Sequence, residues 1–185
     1  MENIEVEIKL EVSLQKYTEL CDKLRLECEI IHESTQKDIY YSPKHCDFFV
    51  DMDKCLRIRQ ADSWATLDYK QIHFGKNDEE TFMDEVSVVI GSITKMEKLL
   101  AYLDIERILC VEKKRIEYRY KDCCKIALDK VKNLGYFIEI ECDKKDLSVE
   151  ESNRLVYGVV EELELNTANK NNEGYSNLLY KKINQ

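Results

Sequence analysis

Two glutamates close to the start of the chain have the spacing of a metal site on a β-strand. Residues 4–11 alternate apolar and charged side chains, which is the period of a strand. Glu5, Glu7 and Lys9 therefore share one face, with the two carboxylates about 6.6 Å apart. Oxygen ligands at that separation can hold hard divalent cations such as Mg²⁺. A half-buried strand with a solvated charged face is the alternative that this stretch alone leaves open.

The same alternation recurs in four later stretches. The charged residues that share a face are Arg57 and Arg59, Asp68 and Lys70, Lys113 and Arg115, and Glu139 and Glu141. Acidic strands suit Mg²⁺ or Mn²⁺, and basic strands suit phosphate oxygens, to which arginine offers bidentate contacts. Because burying an unpaired charge costs several kcal/mol, the two sets must balance each other or hold charged ligands. The pattern therefore predicts a site for metal ions and phosphate groups.

The periodicity predicts an α+β fold. About eight strands form an antiparallel sheet, closed into a barrel with helices packed on its outside. The charged strand faces then line a polar tunnel, and the helices cover the apolar outside. Amphipathic helices are expected after the capping residues Ser13, Ser92 and Ser148, and a last short helix over residues 174–179. Residues 28–32 and 36–43 are predicted as two strands, and residues 44–54 and 73–80 as loops.

Length and composition favour a single domain over residues 1–185. The chain has one proline and five glycines, which argues against long flexible linkers. A net charge of −9 disfavours a general nucleic-acid binder. No apolar run reaches the length of a membrane span, and no signal peptide is visible. We therefore expect a cytoplasmic monomer or homodimer without nucleic-acid or membrane partners, whose eight cysteines are reduced thiols.

Several motifs together resemble one known family. Residues 5–9 match the E-x-E-x-K signature of the CYTH proteins, also called triphosphate tunnel metalloenzymes. Residues 38–41 and 56–59, with Pro43 and the pair at 47–48, look like the class IV adenylyl cyclase branch. Residues 112–115 are similar to the basic strand of that family, residues 128–141 to its most distinctive segment, and residues 175–179 to its C-terminal motif.

This resemblance implies a divalent-metal-dependent enzyme that acts on a small molecule carrying a triphosphate, with Mg²⁺ or Mn²⁺ as cofactor. It implies that the metal ligands are Glu5, Glu7, Asp129, Glu139 and Glu141. The residues that it implies for phosphate binding are Lys9, Arg57, Arg59, Lys70, Lys113 and Arg115. Among these sets, the residues expected to be catalytic are Glu5, Glu7, Lys9, Lys113 and Arg115.

The choice of reaction stays open at this point. The segment from Asp38 to Arg59 favours conversion of ATP to cyclic AMP and pyrophosphate. The presence of both Glu139 and Glu141 fits a triphosphatase acting on inorganic triphosphate, thiamine triphosphate or a nucleoside triphosphate. The family often has Gly-Pro after the lysine that matches Lys70, whereas Gln-Ile follows it here. This departure keeps a non-catalytic module that binds polyphosphate or nucleotide as a further alternative.

Overall fold

Eight strands and five helices are present in the computed structural model, which describes residues 6–51, 53–74, 80–144, 146–171 and 173–184. The strands are β1 (Glu7–Val12), β2 (Glu29–Pro43), β3 (Lys54–Ala61), β4 (Trp64–Phe74), β5 (Glu80–Val89), β6 (Ile105–Tyr120), β7 (Cys124–Val131) and β8 (Gly135–Cys142). The helices are α1 (Leu14–Glu27), α2 (Phe48–Asp51), α3 (Ile93–Tyr102), α4 (Val149–Glu162) and α5 (Tyr175–Ile183). A 3₁₀ turn lies at Thr167–Asn169.

The strands form one sheet in the order β1-β8-β7-β6-β2-β3-β4-β5. Antiparallel ladders join β1 to β8, β8 to β7, β7 to β6, β2 to β3, β3 to β4, and β4 to β5. The predicted α+β class and antiparallel sheet are thus confirmed. The predicted closure into a barrel is wrong for the part of the chain that is described, because β1 and β5 stand at the two ends of the strand order. Alternation specifies which face is apolar, but not which edge strands share hydrogen bonds.

The chain divides into two compact units, the first of which comprises Met1–Ser34 and Lys113–Glu173. One face of its strands is apolar and packs against α1 and α4. Ile126, Ile138 and Ile140 on this face are 0% exposed, in contact with Leu24 of α1 and Val160 of α4. As expected from the sequence, the helices cover the apolar face and leave the charged face of the strands on the other side.

The second unit comprises Thr35–Glu112 and Gly174–Gln185, and it follows the same design. Ile39, Ile58 and Ala65 lie on one face of its strands and pack with Leu100 of α3. Arg57 and its charged neighbours occupy the opposite face. The expectation that residues 1–185 form a single domain stays a prediction.

The helix starts agree with the sequence. Ser13 and Ser92 cap α1 and α3 through their side-chain oxygens. At α4, Ser148 Oγ accepts a hydrogen bond from the Glu151 N–H, and the Glu151 carboxylate accepts one from the Ser148 N–H. Both bonds satisfy N–H groups that a helix end otherwise leaves without partners. The predicted cap at Ser148 is therefore confirmed, and it is a capping box completed by Glu151.

Three local predictions differ from the structure. The two strands predicted over residues 28–32 and 36–43 are one continuous strand, β2. The predicted loop at 44–54 contains α2, whose first turn is fixed by a 2.9 Å hydrogen bond from the Phe49 N–H to Asp47 Oδ1. In the predicted loop at 73–80, His73, Phe74 and Glu80 are strand residues, and residues 75–79 lie outside the described part.

The cysteines form no disulfide among the described residues, and Cys124 is the one that is fully buried there. Burial raises the pKa of the Cys124 thiol to about 12, so it stays protonated at neutral pH. In the described residues, no helix is both long and apolar enough to cross a membrane.

Removing the cap of α4 should destabilise the first unit. We expect Ser148→Ala to lower the free energy of unfolding by about 1 kcal/mol, because the Glu151 N–H loses its acceptor. Chemical denaturation measures this change. Ser148→Thr is the matched control, since it keeps a hydroxyl at the same position and should lose much less. Equal losses in the two variants would contradict the assigned cap.

Candidate active site

The charged face of the first unit combines residues from four strands. Strand register places Glu7 opposite Glu141, Lys9 opposite Glu139, and Arg115 opposite Asp129. Directly opposed residues point to the same side of a sheet, so these side chains share the face that α1 and α4 do not cover. The structure therefore brings six predicted site residues onto one surface.

Asp129 is the centre of this cluster. Its side chain is 0% exposed, and its carboxylate accepts two hydrogen bonds from Arg115, at 2.8 and 2.5 Å. Lys113 Nζ lies 3.2 Å from the same carboxylate, and Arg115 also contacts the Glu139 carboxylate. A carboxylate that is engaged by two cations holds those cations in place. Asp129 therefore orients the side chains of Lys113 and Arg115.

Lys9 lies half-buried beside this cluster. Its ammonium group donates a hydrogen bond to the backbone carbonyl of Glu173. Burial lowers the pKa of Lys9, and the nearby carboxylates of Glu139, Glu7 and Asp129 partly offset that effect. A desolvated ammonium group is suited to an anionic ligand that approaches from the same face.

The opposed pair Glu7 and Glu141 fits a hard divalent cation. Two carboxylates directly across an antiparallel ladder repel each other, and a cation between them relieves that repulsion. Lys125 Nζ, 3.8 Å from Glu141 Oε1, supplies part of the compensation. Mg²⁺ commonly takes one or two protein carboxylates and completes its shell with water and substrate phosphates. In the described part of the chain, no three Asp, Glu, His or Cys residues come together as a metal cage, and Glu5 lies outside that part.

The second unit has its own cluster of cations on a charged face. Arg57 Nε donates a 2.9 Å hydrogen bond to Asp68 Oδ2, and Ser87 Oγ donates one of 2.7 Å to the other carboxylate oxygen. Burial alone would raise the pKa of Asp68, but the bonds from Ser87, Arg57 and Thr66 outweigh it and lower that pKa. Burial alone would lower the pKa of Arg57, yet neighbouring Tyr40, Asp38 and Asp68 raise it.

Asp38 and Glu85 hold the other two cations of this cluster. Arg59 forms a bidentate pair with Asp38, with hydrogen bonds of 2.8 and 2.6 Å. Lys70 Nζ lies 3.0 Å from Glu85 Oε2. The sequence alone predicts no role for Asp38, Asp68 or Glu85. A signal for Asp68 was available, because it alternates onto the face of Lys70, whereas Asp38 needs the register between β2 and β3.

The predicted site residues thus fall into two groups. The first unit brings together Glu7, Lys9, Lys113, Arg115, Asp129, Glu139 and Glu141, and the second unit brings together Arg57, Arg59 and Lys70. In both groups the arginines already make charge-assisted bonds to buried aspartates. Their guanidinium groups are therefore oriented before any ligand binds.

Comparison with known proteins identifies the family of this chain. The CYTH domain profile matches residues 3–176, which includes the charged strands of both units. The chain belongs to the CYTH family.

Two of the proteins that are similar to this CYTH chain are described by one or both of the activities considered above. A Methanocaldococcus jannaschii protein, provisionally named an adenylate cyclase, is 29% identical over 170 residues, which is 91% of this chain and 93% of the relative. The PH1819 structure from Pyrococcus horikoshii is 29% identical, with a TM-score of 0.77, and covers 97% of this chain and 99% of its own. A Hippeastrum protein, described as having a dominant triphosphatase activity, shares the fold at 17% identity and a TM-score of 0.68, over 96% and 94% of the two chains.

Removing the Asp129 carboxylate should destabilise the first unit strongly. We expect Asp129→Asn to lower the free energy of unfolding by about 3 kcal/mol, because Lys113 and Arg115 lose a buried counter-charge. The matched control is Asp143→Asn, which breaks the partly exposed pair with Lys125 and should cost less than about 1 kcal/mol. Urea denaturation measures both changes. Losses of similar size would show that Asp129 is not the anchor of the cluster.

The Asp68 network should make stability depend on pH in the acid range. Because the pKa of Asp68 is lowered by folding, its contribution is complete above the ordinary carboxyl pKa of about 3.9 and is lost as the pH falls through the lowered value. Unfolding free energies measured between pH 7 and pH 2 should fall less steeply for Asp68→Asn than for the wild type. The exposed Asp62→Asn variant is the control, and an unchanged slope for Asp68→Asn would refute the assignment.

Proposed function

We propose that this CYTH chain is a divalent-metal-dependent enzyme that acts on the phosphate chain of a triphosphate. The observation that carries the proposal is the charged face of the first unit, on which the Glu7 and Glu141 pair lies on the same surface as three cations. Polyphosphate binding needs several fixed positive charges, and Lys9, Lys113 and Arg115 supply them. In the second unit, Arg57, Arg59 and Lys70 are a further set of phosphate-binding cations.

In this proposal, Glu7 and Glu141 hold Mg²⁺ or Mn²⁺, and Glu139 lies one row further along the same face. When bound, the metal would neutralise phosphate charge and lower the pKa of the attacking hydroxyl or water. Lys113 and Arg115 would stabilise the negative charge that develops on the phosphate oxygens. Their orientation by Asp129 would keep this stabilisation preorganised, so that catalysis comes mainly from position and charge.

Adenylyl cyclase activity is our first candidate reaction. In it, the 3′-hydroxyl oxygen of ATP attacks the α-phosphorus, the bond to the β-phosphate chain breaks, and pyrophosphate leaves as the hydroxyl loses its proton. The support is the bidentate Asp38–Arg59 pair, because both residues lie in the segment that resembles the cyclase branch. A relative that is provisionally named an adenylate cyclase points in the same direction.

A triphosphatase is the second candidate. The support is that Glu139 and Glu141 both lie on the charged face of β8, because the presence of both glutamates fits the triphosphatase members of the family. In that reaction, water attacks the terminal phosphorus and the rest of the substrate needs no fixed position. The Hippeastrum protein shows that one fold can carry a cyclase name together with a dominant triphosphatase activity.

One incubation separates the candidates. Purified protein is incubated with Mn²⁺ and either ATP or inorganic triphosphate, and the products are separated by chromatography. Cyclic AMP with pyrophosphate supports the cyclase, whereas orthophosphate from triphosphate without cyclic AMP from ATP supports the hydrolase. Tight calorimetric binding of triphosphate without any product over hours would instead indicate a non-catalytic binding module.

The metal assignment predicts a change in metal requirement. We expect Glu7→Gln and Glu141→Gln each to raise the metal concentration for half-maximal activity by at least about tenfold, because each variant loses a carboxylate. Glu150→Gln, on the exposed side of α4, is the control that keeps the overall charge change equal. Activity that persists in excess EDTA would rule out the metal-dependent mechanism.

A further inference from the structure

A cavity in the second unit adjoins two of the predicted phosphate-binding residues. Its volume is about 230 Å³, and its lining includes Tyr40, Phe48 and Phe49 together with Arg57 and Lys70. Pockets for drug-sized ligands usually start at about 300 Å³. This cavity therefore suits a single ring system and is too small for a whole nucleotide.

The aromatic wall of the cavity is held in place by the fold. The Phe48 N–H donates a 3.1 Å hydrogen bond to Ser42 Oγ, which fixes the start of α2. The Phe49 ring stacks on Tyr180 of α5, with ring centroids 4.8 Å apart, and makes a T-shaped contact with Tyr40, with ring centroids 6.1 Å apart. These contacts position flat apolar surfaces that a planar ring can stack against with little loss of side-chain entropy.

One residue of the cavity lining, Asp53, has a carboxylate oxygen without a hydrogen-bond donor in the described part of the chain. Asp53 Oδ2 accepts a 3.1 Å bond from Gln71 and lies 3.4 Å from Lys54 Nζ. Asp53 Oδ1 is buried and has no hydrogen-bond donor among the described residues. A buried acceptor without a donor is destabilising, so a ligand N–H or O–H group placed here would gain binding energy.

We propose that this cavity binds the organic part of the substrate, a planar ring attached to the triphosphate, with a donor on the ring or its sugar bonded to Asp53. The proposal rests on the proposed function and narrows its substrate class to organic triphosphates such as nucleoside triphosphates. Arg57 and Lys70 line the same cavity, so phosphate-binding cations and aromatic surface are continuous there. Inorganic triphosphate has no ring that could stack against the aromatic side chains of the cavity.

The test compares two ligands that cannot be cleaved. They are analogues of ATP and of inorganic triphosphate in which methylene groups replace both oxygens that link the phosphorus atoms. Each is titrated calorimetrically in the presence of Mg²⁺. Phe49→Ala should weaken binding of the ATP analogue about tenfold, the scale of one base-stacking contact, and leave the inorganic analogue unchanged. Phe48→Ala, on the same wall, gives a second measurement if Phe49→Ala does not fold. Tyr102→Ala removes an exposed aromatic ring of α3 and should change neither affinity.

The outcomes are distinct. Equal weakening of both ligands by the wall variants, or no weakening of either, overturns the cavity assignment while the triphosphate function stands. A wild-type protein that binds neither analogue and releases no product from ATP or triphosphate overturns the proposed function as well.

The Asp53 contact is tested with two further ATP analogues, one without the 6-amino group and one without the 2′-hydroxyl. At least one should bind the wild type several-fold more weakly than the parent analogue, and Asp53→Ala should abolish that difference. Equal binding of all three by the wild type would remove Asp53 from the site.

Discussion

The pairing of buried aspartates with arginines is the interaction on which both charged faces depend. Asp38, Asp68 and Asp129 are 3%, 4% and 0% exposed, and each accepts hydrogen bonds from an arginine of a neighbouring strand. Without these bonds, the sheet would bury charges at a cost of several kcal/mol each. With them, the strands can carry cations on one face and pack helices on the other. The same bonds orient each guanidinium group, so one contact both compensates the buried charge and fixes the direction of the arginine side chain.

The sequence predicted which side chains share a face of the sheet, but not which side chains form ion pairs with each other. Alternation of period two predicted that Lys113 and Arg115 share a side, because successive strand residues point in opposite directions. It also predicted the helix starts, since Ser148 and Glu151 lie at capping-box spacing. The pairing of Arg59 with Asp38 could not be predicted in this way. It depends on the alignment of β2 with β3, and the two residues are 21 positions apart in the chain.

Two other features lay beyond the sequence for physical reasons. Helix α2 has four residues, far fewer than the number at which helical periodicity becomes recognisable, and a local side-chain bond from Asp47 fixes its first turn. Barrel closure was predicted from the number of antiparallel strands, and the charged strand faces were then expected to line its interior. In the described residues, pairing with aspartates compensates the cations within each unit, so the sheet does not have to close for the charges to be compensated.

The turn between β6 and β7 fixes the register of the two strands that carry Lys113, Arg115 and Asp129. Lys121 and Asp122 adopt φ angles of 48° and 53°, and the Cys123 N–H bonds to the Tyr120 carbonyl at 3.1 Å. Two successive left-handed residues match the twist of a tight hairpin and fix its register. A slip of one residue would carry Asp129 to the helix-packed side of the sheet and leave Arg115 opposite Leu128 or Lys130, neither of which is a counter-ion. The number of residues in this turn therefore fixes the alignment of β6 with β7, and that alignment places the Asp129 carboxylate beside Lys113 and Arg115.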